Sequence, residues 1–90
     1  MAIYVDNVRV PHRGKFWCHL VADTLEELHN FARCLEIPHR GFHYQASYPH
    51  YDITIELREI ALQLDAIAGN RRDIIRCAKQ LKQQFKDSYY

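Results

Sequence analysis

Six polar residues of the kinds that bind ligands or transfer protons stand out by their positions in the sequence. Each lies near the predicted end of a strand or the predicted start of a helix. They are Asp6, His19, Asp23, His50, Asp52 and Arg58. Ligands of open α/β sheets tend to bind beyond the strand ends, and free backbone N–H groups at a helix start attract anions. A guanidinium adds a bidentate fork for phosphate or carboxylate. The pattern predicts a pocket for a phosphate-containing small molecule such as a nucleotide.

The same positions also fit catalysis, in which a histidine acts as general acid or base and a carboxylate orients it. Under this alternative His19, His50 and Asp52 are the catalytic candidates. The reaction would be hydrolysis of a phosphoester, assisted by a metal or dependent on histidine alone. Structural roles compete with both interpretations, because Asp52 is suited to cap a helix, Asp23 to flank one and Arg58 to form a solvated ion pair. The sequence does not decide whether the protein is an enzyme.

A metal site is a further interpretation, because histidine and aspartate are common ligands of zinc and manganese. The candidates are His19, His29 and His50, with Asp6 or Asp52 as the carboxylate. No two histidines show the H-x-x-x-H spacing of a helical metal motif, so a divalent metal is not favoured and the cofactor is left unassigned. His29 falls at the edge of an apolar helix face, where a half-buried histidine with a structural partner is the favoured interpretation.

The other histidines and the aromatic residues give weaker signals. Three histidines fall in or near predicted loops and are interpreted as surface or pocket-rim residues: His12, His39 and His43. Core packing accounts for Trp17 and Phe42. Tyr44, Tyr48 and Tyr51 flank the proposed pocket in the sequence, and we expect one of them to line it.

Three short strands and one long loop are predicted from the alternation of apolar residues and from turn-forming residues. The strands cover residues 2–5, 16–22 and 41–45, where apolar and polar side chains alternate. Residues 7–15 contain proline and glycine and are predicted to form a loop.

Three helices are predicted from capping residues and from apolar side chains at helical spacing. Thr24 and Glu27 match a capping box at the start of the first helix, and Pro38 ends it. Asp52 or Thr54 is the expected N-cap of the second helix.

The second helix is predicted to carry an apolar stripe and to end at a glycine cap, Gly69. The stripe comprises Ile53, Leu57, Ile60, Ala61, Leu64 and Ile67. Asn70 and Asp73 are the capping pair that starts the third helix. Its narrow apolar seam, Ile74, Ala78, Leu81 and Phe85, is of the kind that pairs two helices, which suggests a homodimer. The predicted fold is α/β, of the α+β two-layer type, with a small two- to three-stranded sheet packed against three helices.

Charge is distributed unevenly along the 90 residues, a length that fits one domain. Residues 1–69 carry six Lys/Arg against nine Asp/Glu, whereas residues 70–90 carry six Lys/Arg against two Asp. The net charge of +1 argues against nucleic-acid binding by bulk charge alone, and nucleic acid is not the favoured partner. The basic C-terminal helix could contact nucleic-acid phosphates, although a solvated face is the favoured interpretation. A further alternative is that this helix and the aromatic residues bind a host protein, which the chain would inhibit.

The cysteines and the lack of long apolar runs bear on the compartment. Cys18, Cys34 and Cys77 are odd in number and widely spaced, which fits reduced thiols better than disulfides. No apolar run approaches the ~20 residues needed to span a bilayer, and the N-terminus lacks the apolar core of a signal peptide. We therefore expect a cytoplasmic protein of a bacterial host that does not bind membranes.

Several motifs together resemble an uncharacterised family, the domain of unknown function (DUF) 4031 of phages and bacteria. The matching residues are Tyr4-Val5-Asp6, Arg9, Pro11, His19-Leu20, Ala22-Asp23-Thr24, Glu27-Leu28-His29, Tyr44-Gln45, His50-Tyr51-Asp52-Ile53, Arg58 and Ala61. The resemblance covers residues 1–64. It implies a small phage-type accessory protein but carries no established activity.

Members of that family end soon after the second helix with a short strand-like run, so the resemblance leaves out residues 70–90. We therefore divide the chain into a family-like α/β core, residues 1–69, and a basic helix, residues 70–90, packed on the same domain. The full set of ligand-binding candidates is Asp6, Arg9, His19, Asp23, Tyr44, Gln45, His50, Tyr51, Asp52 and Arg58.

Overall fold

Alternating apolar residues build the two strands at the centre of the sheet. The structure, a computed structural model, describes residues 2–89. Strand β1 (Ile3–Val5) pairs antiparallel with β3 (Lys15–Ala22), and both agree with the predicted strands. Four further strands complete the sheet: β2 (Val10–His12), β4 (Phe42–His43), β5 (His50–Thr54) and β6 (Ile67–Ala68).

The sheet is mixed and larger than predicted. Its strands follow the order β4-β5-β3-β1-β6, and β2 pairs with β3 beside that path. Strand β6 runs parallel to β1, whereas the other pairs are antiparallel. The fold is therefore α+β, with three helices and a sheet of about six strands. The class is confirmed and the two- to three-stranded sheet is wrong. Strands β2 and β6 have three and two residues, too few to show an alternating pattern.

Strand β2 lies in the segment predicted to be a loop. A two-residue turn joins it to β3, and both turn residues have positive φ, 52° at Arg13 and 75° at Gly14. These angles are typical of a type I′ turn, whose twist matches that of a β-hairpin. The hairpin therefore forms, although Pro11 lowers the strand propensity of the segment.

Three helices pack against this sheet: α1 (Leu25–Cys34), α2 (Ile55–Gln63) and α3 (Arg71–Tyr89). Two of the predicted capping pairs are confirmed. The Thr24 hydroxyl accepts a hydrogen bond from the Glu27 N–H and donates one to the Glu27 carboxylate. Before α3, the Asn70 side chain accepts from the Asp73 N–H, and the Asp73 carboxylate accepts from the Asn70 N–H.

The start of the second helix differs from the prediction. Thr54 is the N-cap, since its hydroxyl accepts a hydrogen bond from the Leu57 N–H at 3.2 Å. Asp52 and Ile53 lie in β5 instead. The run from Tyr51 to Thr54 pairs with β3, so tertiary strand pairing overrides the helical spacing of Ile53.

The predicted end of the second helix is also wrong. Helix α2 ends at Gln63, and Ile67 belongs to β6. Gly69 therefore caps no helix, and its N–H donates to the Val5 carbonyl at 2.8 Å. The crossover from β5 through α2 thus ends in a short parallel strand at the edge of the sheet.

The strand register separates an apolar face of the sheet from a polar one. Leu20 pairs with Tyr51 on one face, and His19 pairs with Asp52 on the other. On the apolar face, the Tyr51 hydroxyl contacts His29 of α1. Helix α3 instead lies on the second face, where Ile74 lines a hollow together with His19. Helices therefore lie on both faces, in contrast to the predicted two-layer arrangement.

The apolar seam of α3 is part of the core of its own chain. Ile74, Cys77 and Leu81 are buried, and Phe85 packs against the same core. The seam from which a homodimer was predicted is thus occupied by intramolecular contacts. Within residues 2–89, we find no helix with the length and apolar character to cross a bilayer.

Candidate functional site

On the polar face of the sheet, Asp6 contacts His19 through both of its carboxylate oxygens. Asp6 lies between β1 and β2, and His19 lies in β3. Asp6 follows β1 and is 8% exposed. One of its carboxylate oxygens accepts the His19 backbone N–H at 2.9 Å, and the other lies 2.6 Å from His19 Nδ1. A carboxylate only accepts hydrogen bonds, so the proton of neutral His19 is held on Nδ1. The lone pair of Nε2 then points away from Asp6.

Asp52 lies directly across the strand pair from His19 and contacts three histidines. Its Oδ1 is 3.9 Å from His19 Nε2 and 3.2 Å from His50 Nε2. Its Oδ2 is 3.2 Å from His43 Nε2. Strand alternation explains the convergence, because His50 and Asp52 are two residues apart on β5 and His43 pairs with His50 from β4.

His50 has the same proton arrangement as His19, through a different partner. Its Nδ1 lies 2.9 Å from the Tyr48 backbone carbonyl, which only accepts hydrogen bonds. The neutral ring therefore carries its proton on Nδ1 and presents the Nε2 lone pair to Asp52. In this neutral form, two unprotonated nitrogens and a carboxylate oxygen converge, whereas in the doubly protonated ring Nε2 donates a hydrogen bond to Asp52.

The ligand atoms of His19, His50 and Asp52 all lie within 4.8 Å of one another. Two imidazoles and one carboxylate form a three-ligand set known in catalytic zinc sites and in non-haem iron sites. Metal-bound histidines almost always donate their second N–H to a carboxylate or a backbone carbonyl, as His19 does to Asp6 and His50 does to Tyr48. The group thus has both the ligands and the outer partners of a metal site.

A cavity of about 590 Å³ opens onto this group, and we call it the metal-site cavity. His19, His50 and Asp52 line it together with His43. The turn region of the β2–β3 hairpin supplies a further part of the wall, which includes His12, Arg13 and Trp17. The cavity therefore combines open space at the three ligands with a cationic and aromatic wall.

Contacts within the site shift the pKa values of His19 and Asp52, and both shifts favour the charged form of the residue. The hydrogen bond with Asp6 raises the pKa of His19. The hydrogen bond from His50 lowers the pKa of Asp52, with further lowering by His43 and His19. Burial raises the pKa of the nearby Cys18 thiol to about 12, so this cysteine is protonated at neutral pH.

Two residues of the predicted pocket lie apart from the metal-site cavity. Asp23 follows β3 at the opposite end of the sheet and pairs with Arg76 at 3.0 Å. Arg58 donates from Nε to the Asp6 backbone carbonyl at 2.8 Å. It therefore supports the segment that holds Asp6 and does not line the metal-site cavity.

The ligand-binding candidates that rest on the resemblance are spread over the molecule. Tyr51 is buried on the apolar face, and its hydroxyl contacts His29 Nδ1 at 2.8 Å. Tyr44 and Gln45 line a separate hollow beside α3. Arg9 is exposed between β1 and β2, outside the lining of the metal-site cavity. Their ligand-binding roles stay predictions.

Comparison with known proteins agrees with the resemblance seen in the motifs. The profile of the family described as "Protein of unknown function (DUF4031)" matches residues 3–81. The chain belongs to the DUF4031 family. No curated protein and no solved structure gives a significant match. The match reaches into α3, beyond the residues 1–64 that carried the resemblance, so the family relationship includes the first part of the basic helix.

The sequence interpretation of this DUF4031 chain missed the hairpin wall. The interpretation of His43 as a surface or pocket-rim residue agrees with its half-exposed contact with Asp52 at the cavity. Trp17 was assigned to the core, yet it lines the metal-site cavity. The alternation of polar and apolar side chains from His50 to Ile53 was a signal for β5. That strand would have placed His50 and Asp52 on one face.

His29, the third predicted metal candidate, lies on the other face of the sheet and gives a pH-dependent prediction. Burial lowers its pKa from 6.5, and its Nε2 is buried with no hydrogen-bond partner among the described residues. Below pH 6.5 the unfolded chain then binds protons that the folded chain resists. His29 should therefore lower the free energy of unfolding as the pH falls.

Urea unfolding at about pH 8 and about pH 5.5 measures this effect. We expect His29→Phe, which keeps the ring contacts with Phe42, to lose less stability on acidification than the parent chain. His12→Gln, which removes an exposed imidazole from the hairpin, is the control and should retain the parent's pH dependence. Equal losses in His29→Phe and the parent would contradict the prediction.

Proposed function

We propose that this protein is a metal-dependent phosphoester hydrolase, in which His19, His50 and Asp52 bind one divalent transition-metal ion. The observation that carries the proposal is the convergence of their three ligand atoms within 4.8 Å. The sequence favoured a phosphate-binding module and kept a metal-assisted hydrolase as an alternative. The geometry favours the alternative, because two Nε2 lone pairs and a carboxylate face one point.

The ligand set supports a catalytic ion more than a structural one. Structural zinc sites are closed by four protein ligands, whereas catalytic sites have three protein ligands and keep a position open for water or substrate. Here three ligands converge, and the metal-site cavity of about 590 Å³ adjoins them. An ion at this point would have an open position facing the cavity.

The cavity wall supports a phosphate ester as substrate. Arg13 contributes a cationic group to the cavity wall, His12 an imidazole that can form hydrogen bonds, and Trp17 an aromatic surface. Guanidinium groups bind phosphate oxygens through two parallel hydrogen bonds, and aromatic rings stack on bases. The wall is therefore suited to a nucleotide-like ester.

Hydrolysis at this site would use a bound water as nucleophile. A divalent ion held by His19, His50 and Asp52 would supply hydroxide at neutral pH, because it lowers the pKa of bound water towards about 7. In the overall reaction one water would add across the ester P–O bond, which leaves a phosphate group and a hydroxyl. Arg13, at the cavity wall, is placed to stabilise charge on the phosphoryl oxygens.

Calorimetric titration of chelator-treated protein with Zn²⁺ and with Mn²⁺ tests the proposal. We expect one ion to bind per chain and, in its presence, turnover of bis(p-nitrophenyl) phosphate. The absence of stoichiometric binding by either ion would refute the metal site. If a metal ion binds but neither the diester nor p-nitrophenyl phosphate is turned over, the phosphate-binding module becomes the favoured function.

A further inference from the structure

Two further hollows extend from the metal-site cavity along α3. The first, which we call the α3 groove, has a volume of about 670 Å³ and shares His19 with the metal-site cavity. The second, the loop hollow, has a volume of about 440 Å³ and shares Tyr48 with the α3 groove. The shared residues make the three depressions neighbours on one side of the molecule.

Cationic side chains follow this path. Arg71 and Lys79 line the α3 groove, and Lys82 and Lys86 line the loop hollow. All four are exposed. Among the described residues that line the three hollows, Asp6 and Asp52 are the acidic ones, and both belong to the histidine cluster. The path therefore favours an anion along its length, although the net charge of the chain is only +1.

Aromatic rings lie at intervals along the same path. Trp17 lines the metal-site cavity, and Tyr48 lines both the α3 groove and the loop hollow. Tyr44 lines the loop hollow, is 50% exposed, and stacks on Phe85 with 5.5 Å between ring centroids. Trp17 and Tyr48 are half-buried. A basic groove lined by aromatic rings is the arrangement by which proteins bind single-stranded nucleic acids.

We infer that the substrate of the metal site is a single-stranded polynucleotide, whose backbone runs from the metal-site cavity along α3. The inference rests on the proposed hydrolase function and specifies its substrate. From Arg71 to Lys86 the helix extends about 22 Å at 1.5 Å per residue, a length that one mononucleotide cannot cover. The cleaved bond is then a phosphodiester within the strand: water adds across it, leaving one phosphate monoester and one hydroxyl.

The net charge of the chain argued against nucleic acid, but the local distribution decides binding. Phosphate contacts depend on cations within reach of the backbone, since surface charges farther away are screened by salt. The acidic residues of segment 1–69 offset these cations in the net charge of the chain. Among the described residues, only Asp6 and Asp52 of that acidic set line the path.

Fluorescence anisotropy with a labelled oligonucleotide of about twelve residues tests the inference. Oligothymidylate and oligouridylate form the two arms, which distinguish DNA from RNA. Four phosphate contacts predict a slope of log K against log salt concentration of about −3. Lys79→Gln combined with Lys82→Gln should reduce that slope in magnitude by about 1.4 and weaken binding at low salt.

The matched control combines Arg33→Gln with Arg72→Gln, because it removes two exposed positive charges that do not line the path. It should leave the affinity close to that of the parent. Equal weakening by both double variants, or no oligonucleotide binding at low salt, overturns the inference. If the small diester is still turned over in that case, the proposed hydrolase stands and only the polynucleotide substrate is rejected. If the protein binds the oligonucleotide but binds no metal ion in the calorimetric titration, both the polynucleotide substrate and the proposed hydrolase are refuted.

Discussion

Replacing His50 with Ala should lower the affinity for Zn²⁺ by roughly 100-fold or more, and it should abolish turnover of the phosphodiester. Loss of an outer-shell partner alone typically lowers metal affinity about 10- to 100-fold, and His50 would be a direct ligand. The effect is measurable as stability. At a Zn²⁺ concentration about 100 times the parent dissociation constant, the parent gains about 2.7 kcal/mol and a variant weakened 100-fold gains about 0.4 kcal/mol.

His50 is 7% exposed, so its replacement also removes packing contacts with the rings of His19, His43 and Tyr48. Asp52→Asn is a second variant that keeps the side-chain shape and removes the carboxylate charge. We expect it to lose metal affinity while unfolding, in the presence of chelator, at a urea concentration near that of the parent. His39→Ala, on the other side of the sheet, is the control. Parent-like Zn²⁺ binding in both site variants would remove the metal site from the proposal.

Replacing Asp6 with Asn should lower the Zn²⁺ affinity by about 10- to 100-fold with little change in the stability of the metal-free protein. The Asn side-chain oxygen must accept the His19 backbone N–H, because that group is a donor. The amide NH₂ then faces His19 Nδ1, which is 2.6 Å from the second Asp6 oxygen in the parent. To accept this hydrogen bond, the neutral ring moves its proton from Nδ1 to Nε2, and a protonated Nε2 cannot bind a metal.

The same substitution at Asp23 is the matched control for Asp6→Asn. Asp23 is a partly buried carboxylate that pairs with Arg76 at the opposite end of the sheet. Calorimetry should give parent-like Zn²⁺ affinity for Asp23→Asn and weakened affinity for Asp6→Asn. Urea unfolding with chelator present measures the stability of the metal-free protein. It therefore distinguishes a changed proton position on His19 from a loss of structure. If Asp6→Asn weakens metal binding only as much as it weakens folding, its role is structural.

Local signals predicted the elements whose residues interact with near neighbours in the sequence. The Thr24–Glu27 and Asn70–Asp73 capping pairs both span three residues, and the structure confirms both. Strand β3 is long enough for its side chains to alternate between the two faces of the sheet, with apolar residues on the face that carries Cys18. Such signals come from contacts within one turn or one strand, so no knowledge of the rest of the chain is needed.

The assignment of His50 to Ile53 shows why the rest of the fold escaped prediction. These residues precede a helix and share its apolar spacing, so they were assigned to a cap and a first turn. Pairing with β3 makes them a strand instead. The energy of strand pairing comes from partners that lie about thirty residues away in the sequence, and a local pattern does not contain it.

The amino-acid sequence by itself determined the fold class, the family, the capped helix starts and the residue types of the site, because these depend on composition, short spacings and motifs. Only the tertiary structure decided which of the six polar residues meet. The antiparallel register of β3 and β5 brings His19 opposite Asp52, whereas the strand directions put Asp23 at the far end of the sheet. Register and direction depend on long-range backbone pairing, so the sequence alone did not identify which residues form the site.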